Sequence, residues 1–168
     1  MNTSAPPRGF IAMPPTPGNA FLVHTAQLWI KLEDDHPVFG FRVEPHHCNP
    51  IGGCHGGMLL TFIDSYLPNV PRFGPEGDDG ATPTVSITTD FLAPAKLGDW
   101  VEGRGRLLRR SSNLIFVEGI VSAEGRPLAR ASGIFKRGRP GDRAHRVEEL
   151  KALMRASAAE QPTSSARP

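Results

Sequence analysis

Apolar residues recur along this chain with two different periods. From Asn19 to Leu32, Phe21, Ala26, Trp29 and Leu32 fall at helical spacing, with Val23 and Ile30 beside them. That predicts a first helix, with Asn19 placed to cap it and Glu33-Asp34-Asp35 and Pro37 to end it. Phe39 to Val43 alternates and predicts a short strand closed by Pro45. The turn-rich stretch from His46 to Gly57 then feeds an apolar run, Met58 to Leu67, read as a second helix that Pro68 and Pro71 stop or kink. After a loop rich in Gly, Pro and Asp, which reaches Pro83, the spacing becomes alternate. Val85, Ile87, Thr89 and Phe91 alternate with Ser86, Thr88 and Asp90, and Pro94 ends that strand. Lys96-Leu97-Gly98-Asp99 reads as a turn. Trp100 to Leu108 is the next strand, with Val101, Gly103, Gly105 and Leu107 on one side and Glu102, Arg104 and Arg106 on the other. Arg109 to Asn113 is a polar hairpin connection, and Leu114 to Ser122 a strand rich in Ile, Phe and Val. Ala123 to Pro127 is a turn with Gly125 suited to positive φ. Leu128 to Phe135 is the last strand, and Val147, Leu150 and Met154 mark one side of a helix over about 145–159.

This order, with a meander of four strands following a long apolar helix, predicts an α+β fold. The strands need an element to cover their apolar face, and only the helix over Met58–Leu67 is apolar enough. One antiparallel sheet wrapped around that helix is the economical solution. Residues 1–18 read as a disordered or extended segment, with Met1 to Pro7 disordered, 19–137 as a single domain, and 138–168 as an extension with a short helix and a frayed tail from Gln161. The small residues Ala129, Ala131 and Gly133, together with an exposed sheet edge, predict that two such sheets pair.

Asp64 is the only charged residue between Gly56 and Leu67. Leu60, Asp64 and Leu67 share one helical face, and the apolar surroundings predict that the helix is largely wrapped by other structure. A carboxylate there is costly unless it is paired or used. It either caps a loop or pairs with an Arg, or it does chemistry.

Composition narrows the classes. The 168 residues suit one domain with a full core. Nineteen basic against 17 acidic residues, a formal +2, argue against nucleic-acid binding driven by bulk charge. Cys48 and Cys54 are too far apart for a CxxC motif. A disulfide across their Gly-rich loop is geometrically feasible, but a reducing compartment is the better reading. No secretory leader and no apolar run of membrane length is present, so a cytoplasmic protein without membrane partners is expected. His46, His47, Cys48, Cys54 and His55 superficially suggest zinc, but their spacing lacks paired knuckles, and no metal is expected.

Asn49, Gly52 or Gly53, His55-Gly56-Gly57 and then Asp64 eight positions after Gly56 form a joint pattern. It continues in Thr84-Val85-Ser86-Ile87 and in Phe91-Leu92-Ala93-Pro94-Ala95-Lys96-Leu97-Gly98-Asp99. Over about 39–135 the chain thereby resembles the hotdog-fold acyl-CoA thioesterases of the phenylacetate-degradation (PaaI-like) branch. The resemblance implies hydrolysis of an acyl-CoA or aryl-acyl-CoA to free acid and CoA, with CoA as part of the substrate and no separate cofactor. It implies a homo-oligomer, dimer or tetramer, with active sites across the dimer interface.

Elementary chemistry agrees with that expectation. Gly56 and Gly57 stand at the first turn of the helix, where N–H groups lack intrahelical partners and the dipole favours negative charge. The family role of polarising the thioester carbonyl falls on Gly56; the alternative is that the glycines only permit close packing. Asp64 lies roughly 12 Å further along the axis, too far to share one carbonyl within a chain. It matches the family base or nucleophile. Thr84 matches the hydroxyl that holds the attacking water, or it is simply a strand former. Asn49 matches the residue orienting thioester or water, though Asn before Pro is also a routine turn former. His55 is a supporting residue. Arg109, Arg110, Ser111 and Asn113, with Lys136 and Arg137, are candidates for the phosphates of CoA, since an Arg fork suits phosphate; their other reading is a solvated turn and edge. Tyr66, Leu67, Pro68 and the loop to Pro83 are expected to line the acyl pocket. Two competing functions are a hotdog-fold enoyl-thioester hydratase or dehydratase and a non-enzymatic CoA-thioester-binding protein; release of thiol from CoA thioesters separates hydrolysis from both.

Overall fold

The computed structural model describes residues 5–14, 20–75, 77, 82–138 and 144–159. The expectations for Asn19 as a cap, for the first four residues and for the tail from Gln161 fall outside them. Within these residues seven strands form one antiparallel sheet: β1 (Ile11–Ala12), β2 (Trp29–Glu33), β3 (His36–Arg42), β4 (Thr84–Phe91), β5 (Trp100–Arg110), β6 (Leu114–Ala123) and β7 (Arg126–Lys136). Their spatial order is β1-β2-β3-β5-β6-β7-β4. The helices are α1 (Ala20–Thr25), α2 (Gly56–Tyr66), α3 (Val70–Phe73) and α4 (Ala144–Ala159).

The predicted central helix is α2, and it lies against the sheet through Met58, Leu59, Phe62, Ile63 and Tyr66, all buried. The sheet makes room for it by omitting side chains. A Cβ at Gly103 would stand 2.8 Å from the Tyr66 ring, one at Gly105 would stand 2.9 Å from Val70, and one at Gly119 would stand 2.3 Å from the Tyr66 hydroxyl. Gly133 on β7 continues the row, facing Phe135 and Leu67. Pro68 does not end the helical path. Leu67–Asn69 forms a 3-10 turn that runs into α3, because a proline in the first turn of a new helical segment loses no hydrogen bond it would otherwise make.

Four expectations about the elements are corrected. The first helix stops at Thr25 rather than Leu32, and Trp29–Glu33 is β2, paired with β3 in register Trp29↔Gly40 to Glu33↔His36. Asp34 and Asp35 have φ of 49° and 61°. They form the two-residue hairpin turn that needs positive φ at both positions, which Asp tolerates. Trp29 and Leu32 fit a helical period while Ile30 and Leu32 fit an alternating one, and pairing with β3 decides. Second, the meander has three strands, β5-β6-β7. β4 crosses to the free edge of β7 (Thr84↔Phe135 to Phe91↔Ala129) because β5 is already flanked by β3 and β6. Third, Arg109 and Arg110 belong to β5, opposite Phe116 and Ile115 beyond a register shift, so the connection is only Ser111–Asn113. Fourth, α2 is not wrapped all round: Leu60 is 41% exposed and Asp64 is exposed. The turn at Glu124-Gly125 is as expected, with φ of 50° and 77°.

Both ends of the chain close the core. In α4, Val147, Leu150 and Met154 are buried against β2, and the buried Lys151 donates from Nζ to the Gly74 carbonyl at 3.3 Å. Phe10 meets Trp100 edge to face at 5.0 Å on the other side of the sheet, beside Val38. The Lys31 ammonium sits 4.6 Å over the Phe10 ring. Beyond this patch a groove of about 760 Å³ crosses the same outer face, lined by Asp90, Arg104, Arg106, Glu118, Ile120 and Arg130.

Tyr66 was expected to line a pocket with Leu67 and Pro68, but all three are buried in the core between helix and sheet. The Tyr66 hydroxyl is buried with no hydrogen-bond partner among the described residues, and burial pushes its pKa up. An unpartnered buried hydroxyl costs ~1–3 kcal/mol. Tyr66→Phe removes it and keeps the ring contacts with Phe39 and Phe62. The expected result is a gain of about 1 kcal/mol, near 3 °C in Tm for a chain of this size, read by thermal denaturation; a loss of stability would show that the hydroxyl has a partner.

Candidate active site

Three local structures converge on the exposed side of α2. The first is the loop before it. The Asn49 side-chain oxygen accepts from the N–H groups of Ile51 (3.1 Å) and Gly53 (3.2 Å), the Asx geometry that makes Asn a turn former. Gly52, at φ 84°, completes the reversal. The Asn49 oxygen is therefore occupied, and its amide nitrogen is the end left to donate. The turn-forming role considered for Asn49 is filled by its oxygen.

The second is the helix start. His55 is the N-cap, and its Nδ1 accepts from the Gly57 N–H at 2.9 Å. Met58 and Leu59 N–H reach the His55 carbonyl. That leaves the N–H of Gly56, the first helical residue, without an acceptor among the described residues, on the positive end of the helix dipole. The Phe91 ring stands 3.5–3.8 Å from where a Gly56 Cβ would be, so it walls this donor on one side.

The third is at the other end of α2. Thr84, the first residue of β4, donates from Oγ1 to Asp64 Oδ1 at 2.7 Å. A register irregularity between Thr84 and Ser86 re-aims the strand start. Thr84 and Phe91 are opposite ends of one strand. Asp64 with Thr84, and Gly56 with Asn49 and His55, are therefore two half-sites separated along α2 within one chain. The groove on the outer face includes none of them.

The candidates for CoA lie at the Asp64 end. The Lys136 N–H donates to Pro83 O and the Arg137 N–H to Asn113 O, both at 2.8 Å, which sets the Ser111–Asn113 turn beside the start of β4. The Ser111 hydroxyl is taken up locally, accepting from the N–H groups of Asn113 and Leu114. Arg109, Lys136 and Arg137 are exposed, while Arg110 is half-buried.

Two residues shape the site in roles not expected from the sequence. Phe91 reads as one more alternating apolar residue, and only the path of β4 past the helix start gives it its place. His47 is the other. Buried to 4% exposure, it accepts from the Glu44 N–H at Nδ1 (2.9 Å) and donates from Nε2 to Thr25 O (2.7 Å). Its carbonyl accepts from the His55 N–H at 2.8 Å. His46, His47 and His55 thus anchor this loop. Among the described residues no three His, Cys, Asp or Glu side chains are grouped to hold one.

Burial lowers the His47 pKa below its ordinary value near 6.5. The neutral ring belongs to the fold, so its contribution is complete above about pH 6.5 and is lost as pH falls through the lowered folded value. Each pH unit in which only the unfolded chain holds this proton costs about 1.4 kcal/mol. Tm should therefore fall between pH 7 and pH 5 more steeply in the parent than in His47→Gln, which cannot titrate; parallel slopes would remove His47 as the cause.

With this geometry in hand, comparison with known proteins is direct. The family model of the thioesterase superfamily matches residues 51–129. A protein of Pseudomonas aeruginosa named a putative esterase is 33% identical over 98 residues, covering 58% of this chain and 72% of that protein. Human acyl-coenzyme A thioesterase 13 is 31% identical over 75 residues, 45% of this chain and 52% of that protein, so the match spans about half of the human relative. Among solved structures, a phenylacetic acid degradation-related protein from Ralstonia eutropha superposes with a TM-score of 0.61 at 28% identity, over 73% of this chain and 92% of that one. No described helix is long and apolar enough to cross a membrane. A helix wrapped by an antiparallel sheet, the match to the family model and the extended match to the Pseudomonas protein lead to one assignment: the chain belongs to the thioesterase superfamily, on the hotdog fold.

Proposed function

We propose that this protein hydrolyses acyl-CoA thioesters to free acid and CoA, in active sites completed by two copies of the chain. The observation that carries the reading is the Asp64 carboxylate, exposed on an otherwise uncharged helix and held at 2.7 Å by the Thr84 hydroxyl of an edge strand. Along its length β4 is largely exposed, with Val85 58% and Phe91 54% accessible, as suits an edge that another strand will cover. Antiparallel pairing of β4 with β4 about a two-fold axis sets the Thr84 end of one copy beside the Phe91 end of the other. Asp64 then faces the partner copy's helix start, which removes the ~12 Å separation within one chain.

The chemistry follows from these positions. The thioester carbonyl docks on the Gly56 N–H, which stabilises the oxyanion as it develops, and the Asn49 amide donates alongside. Thr84 occupies one Asp64 oxygen, and the other takes the proton of a water placed by the same hydroxyl. Attack by that water breaks the carbon–sulfur bond and releases CoA as the thiol. Arg109 and Lys136, exposed at the Asp64 end, meet the phosphates, with Arg110, Arg137 and Asn113 beside them; Ser111 instead closes its own turn. The acyl group runs along the interface past Leu60, Val85 and Phe91, in place of the buried Tyr66.

The test is thiol release across a panel of acyl-CoA and aryl-acyl-CoA thioesters, each paired with the same acyl group on a short thiol lacking the nucleotide. Turnover of the CoA thioesters with a much higher KM for the short thiols is expected. Absence of thiol release from every CoA thioester, with binding retained, would replace hydrolysis by a binding role.

A further inference from the structure

The loop beneath the site contains the two cysteines of the chain, and the mechanism uses neither. Cys48 and Cys54 face each other across an isolated antiparallel bridge, and both thiols are free. The hydrogen bonds that define the bridge are Asn49 N–H to Gly53 O and His55 N–H to His47 O, each 2.8 Å. They flank the cysteine pair rather than join it, so this is a non-hydrogen-bonded pair, the kind with Cα atoms about 4.5 Å apart and side chains closest. A disulfide needs Cα atoms about 4.4–6.8 Å apart. The hairpin between them is already rigid, through the two bonds to the Asn49 side chain and the Gly52 N–H bond to Asn49 O at 2.9 Å. Among the described residues the polar contacts of the sulfurs are long, Cys48 with Glu44 O at 3.6 Å and Cys54 with His55 O at 3.8 Å.

We propose that Cys48 and Cys54 form an oxidation site, a dithiol that a low-molecular-weight disulfide converts to an intramolecular cross-link without refolding of the loop. The two thiols are unequal. Cys48 is half-buried and reachable, whereas Cys54 is buried. Burial, then the neighbouring Cys48 and Asp99, push the Cys54 thiol up to about 11. The order of steps follows. The Cys48 thiolate attacks one sulfur of the oxidant, whose S–S bond breaks and releases one thiol. Cys54 then gives up its proton to solvent and attacks the Cys48 sulfur, displacing the second. Two protein thiols are oxidised, one small disulfide is reduced to two thiols, and no other reactant is needed. The cross-link ties together the two backbone arms that carry Asn49 and lead into Gly56. The proposal stands on loop geometry alone and does not depend on the reaction proposed above.

The test uses the full chain, reduced, then incubated with oxidised glutathione under native conditions. Both titratable thiols should disappear with a mass loss of two hydrogens, no retained glutathione and no covalent dimer on a non-reducing gel. Dithiothreitol should restore both, and amide exchange at Ile51, Gly52 and Gly53 should be slower in the oxidised form. Cys54→Ser should stop at a single glutathione adduct on Cys48, and Cys48→Ser should take none. Glutathione retained on both cysteines of the parent, a cross-link between chains, or two thiols that persist in the folded protein while the urea-unfolded chain oxidises would each overturn it. The parent measurement decides even where a serine variant folds poorly.

Discussion

Asp64→Asn should lower kcat by ~10²–10⁴, the range for loss of a general base, with KM little changed. The substitution keeps the shape of the side chain and an oxygen for the Thr84 hydroxyl, and removes the charge and the proton-accepting oxygen. Thermal stability should be unchanged or slightly higher, since active-site carboxylates commonly oppose stability. The opposite pattern, a lowered Tm with turnover within about threefold of the parent, would make Asp64 a structural residue and move the search for the base to the neighbourhood of His55. A single turnover in heavy-oxygen water separates base from nucleophile. A general base sends the label only to the product acid, whereas an attacking carboxylate acquires it.

The second large effect is at the helix start. Gly56→Pro deletes the N–H assigned to the oxyanion, at the one helical position where proline is at home. The preceding His55, at φ −63° and ψ 136°, already has the extended conformation that a residue before proline prefers. The helix should therefore form, and kcat should fall by ~10²–10³, as for loss of one oxyanion donor. Mixing this variant with Asp64→Asn gives the more searching result. If each site takes its donor from one copy and its base from the other, a mixed dimer holds one doubly damaged site and one intact site. Half of the dimers in a random equal mixture are mixed, so activity should return to about a quarter of the parent value from two nearly inactive proteins. No recovery after exchange of subunits would place both groups of one site in the same chain.

How far the sequence could be read depended on whether a feature was local. The oxyanion candidate was legible because the N–H of the first helical residue has no intrahelical acceptor whatever packs around it. Asp64 was legible as an isolated charge in an apolar run, and Thr84 now stands against it. The strands β5, β6 and β7 were legible because hairpin turns such as Glu124-Gly125 fix their pairing locally. β4 could not be placed, since which edge it joins depends on which edges the other strands leave open. Trp29–Leu32 was misread because four residues do not distinguish the two periods, and a distant partner strand settles them. The buried place of Tyr66 was hidden for a similar reason: the space it fills is made by glycines some 40 to 50 residues later.

Those glycines also bear on how such a protein could come to accept a different acyl group. With Gly103, Gly105, Gly119 and Gly133 omitting side chains under the helix, the inner wall of the fold has no spare depth, and a new side chain there collides before it can shape a pocket. The rim is different. Val85, Phe91 and Leu60 are all substantially accessible in the single chain and can change size without disturbing the wall behind them. With β4 paired between copies as proposed, substrate preference in this scaffold is free to drift at that seam and held fixed at the sheet, so a library confined to those three rim positions should shift acyl selectivity while leaving the fold intact.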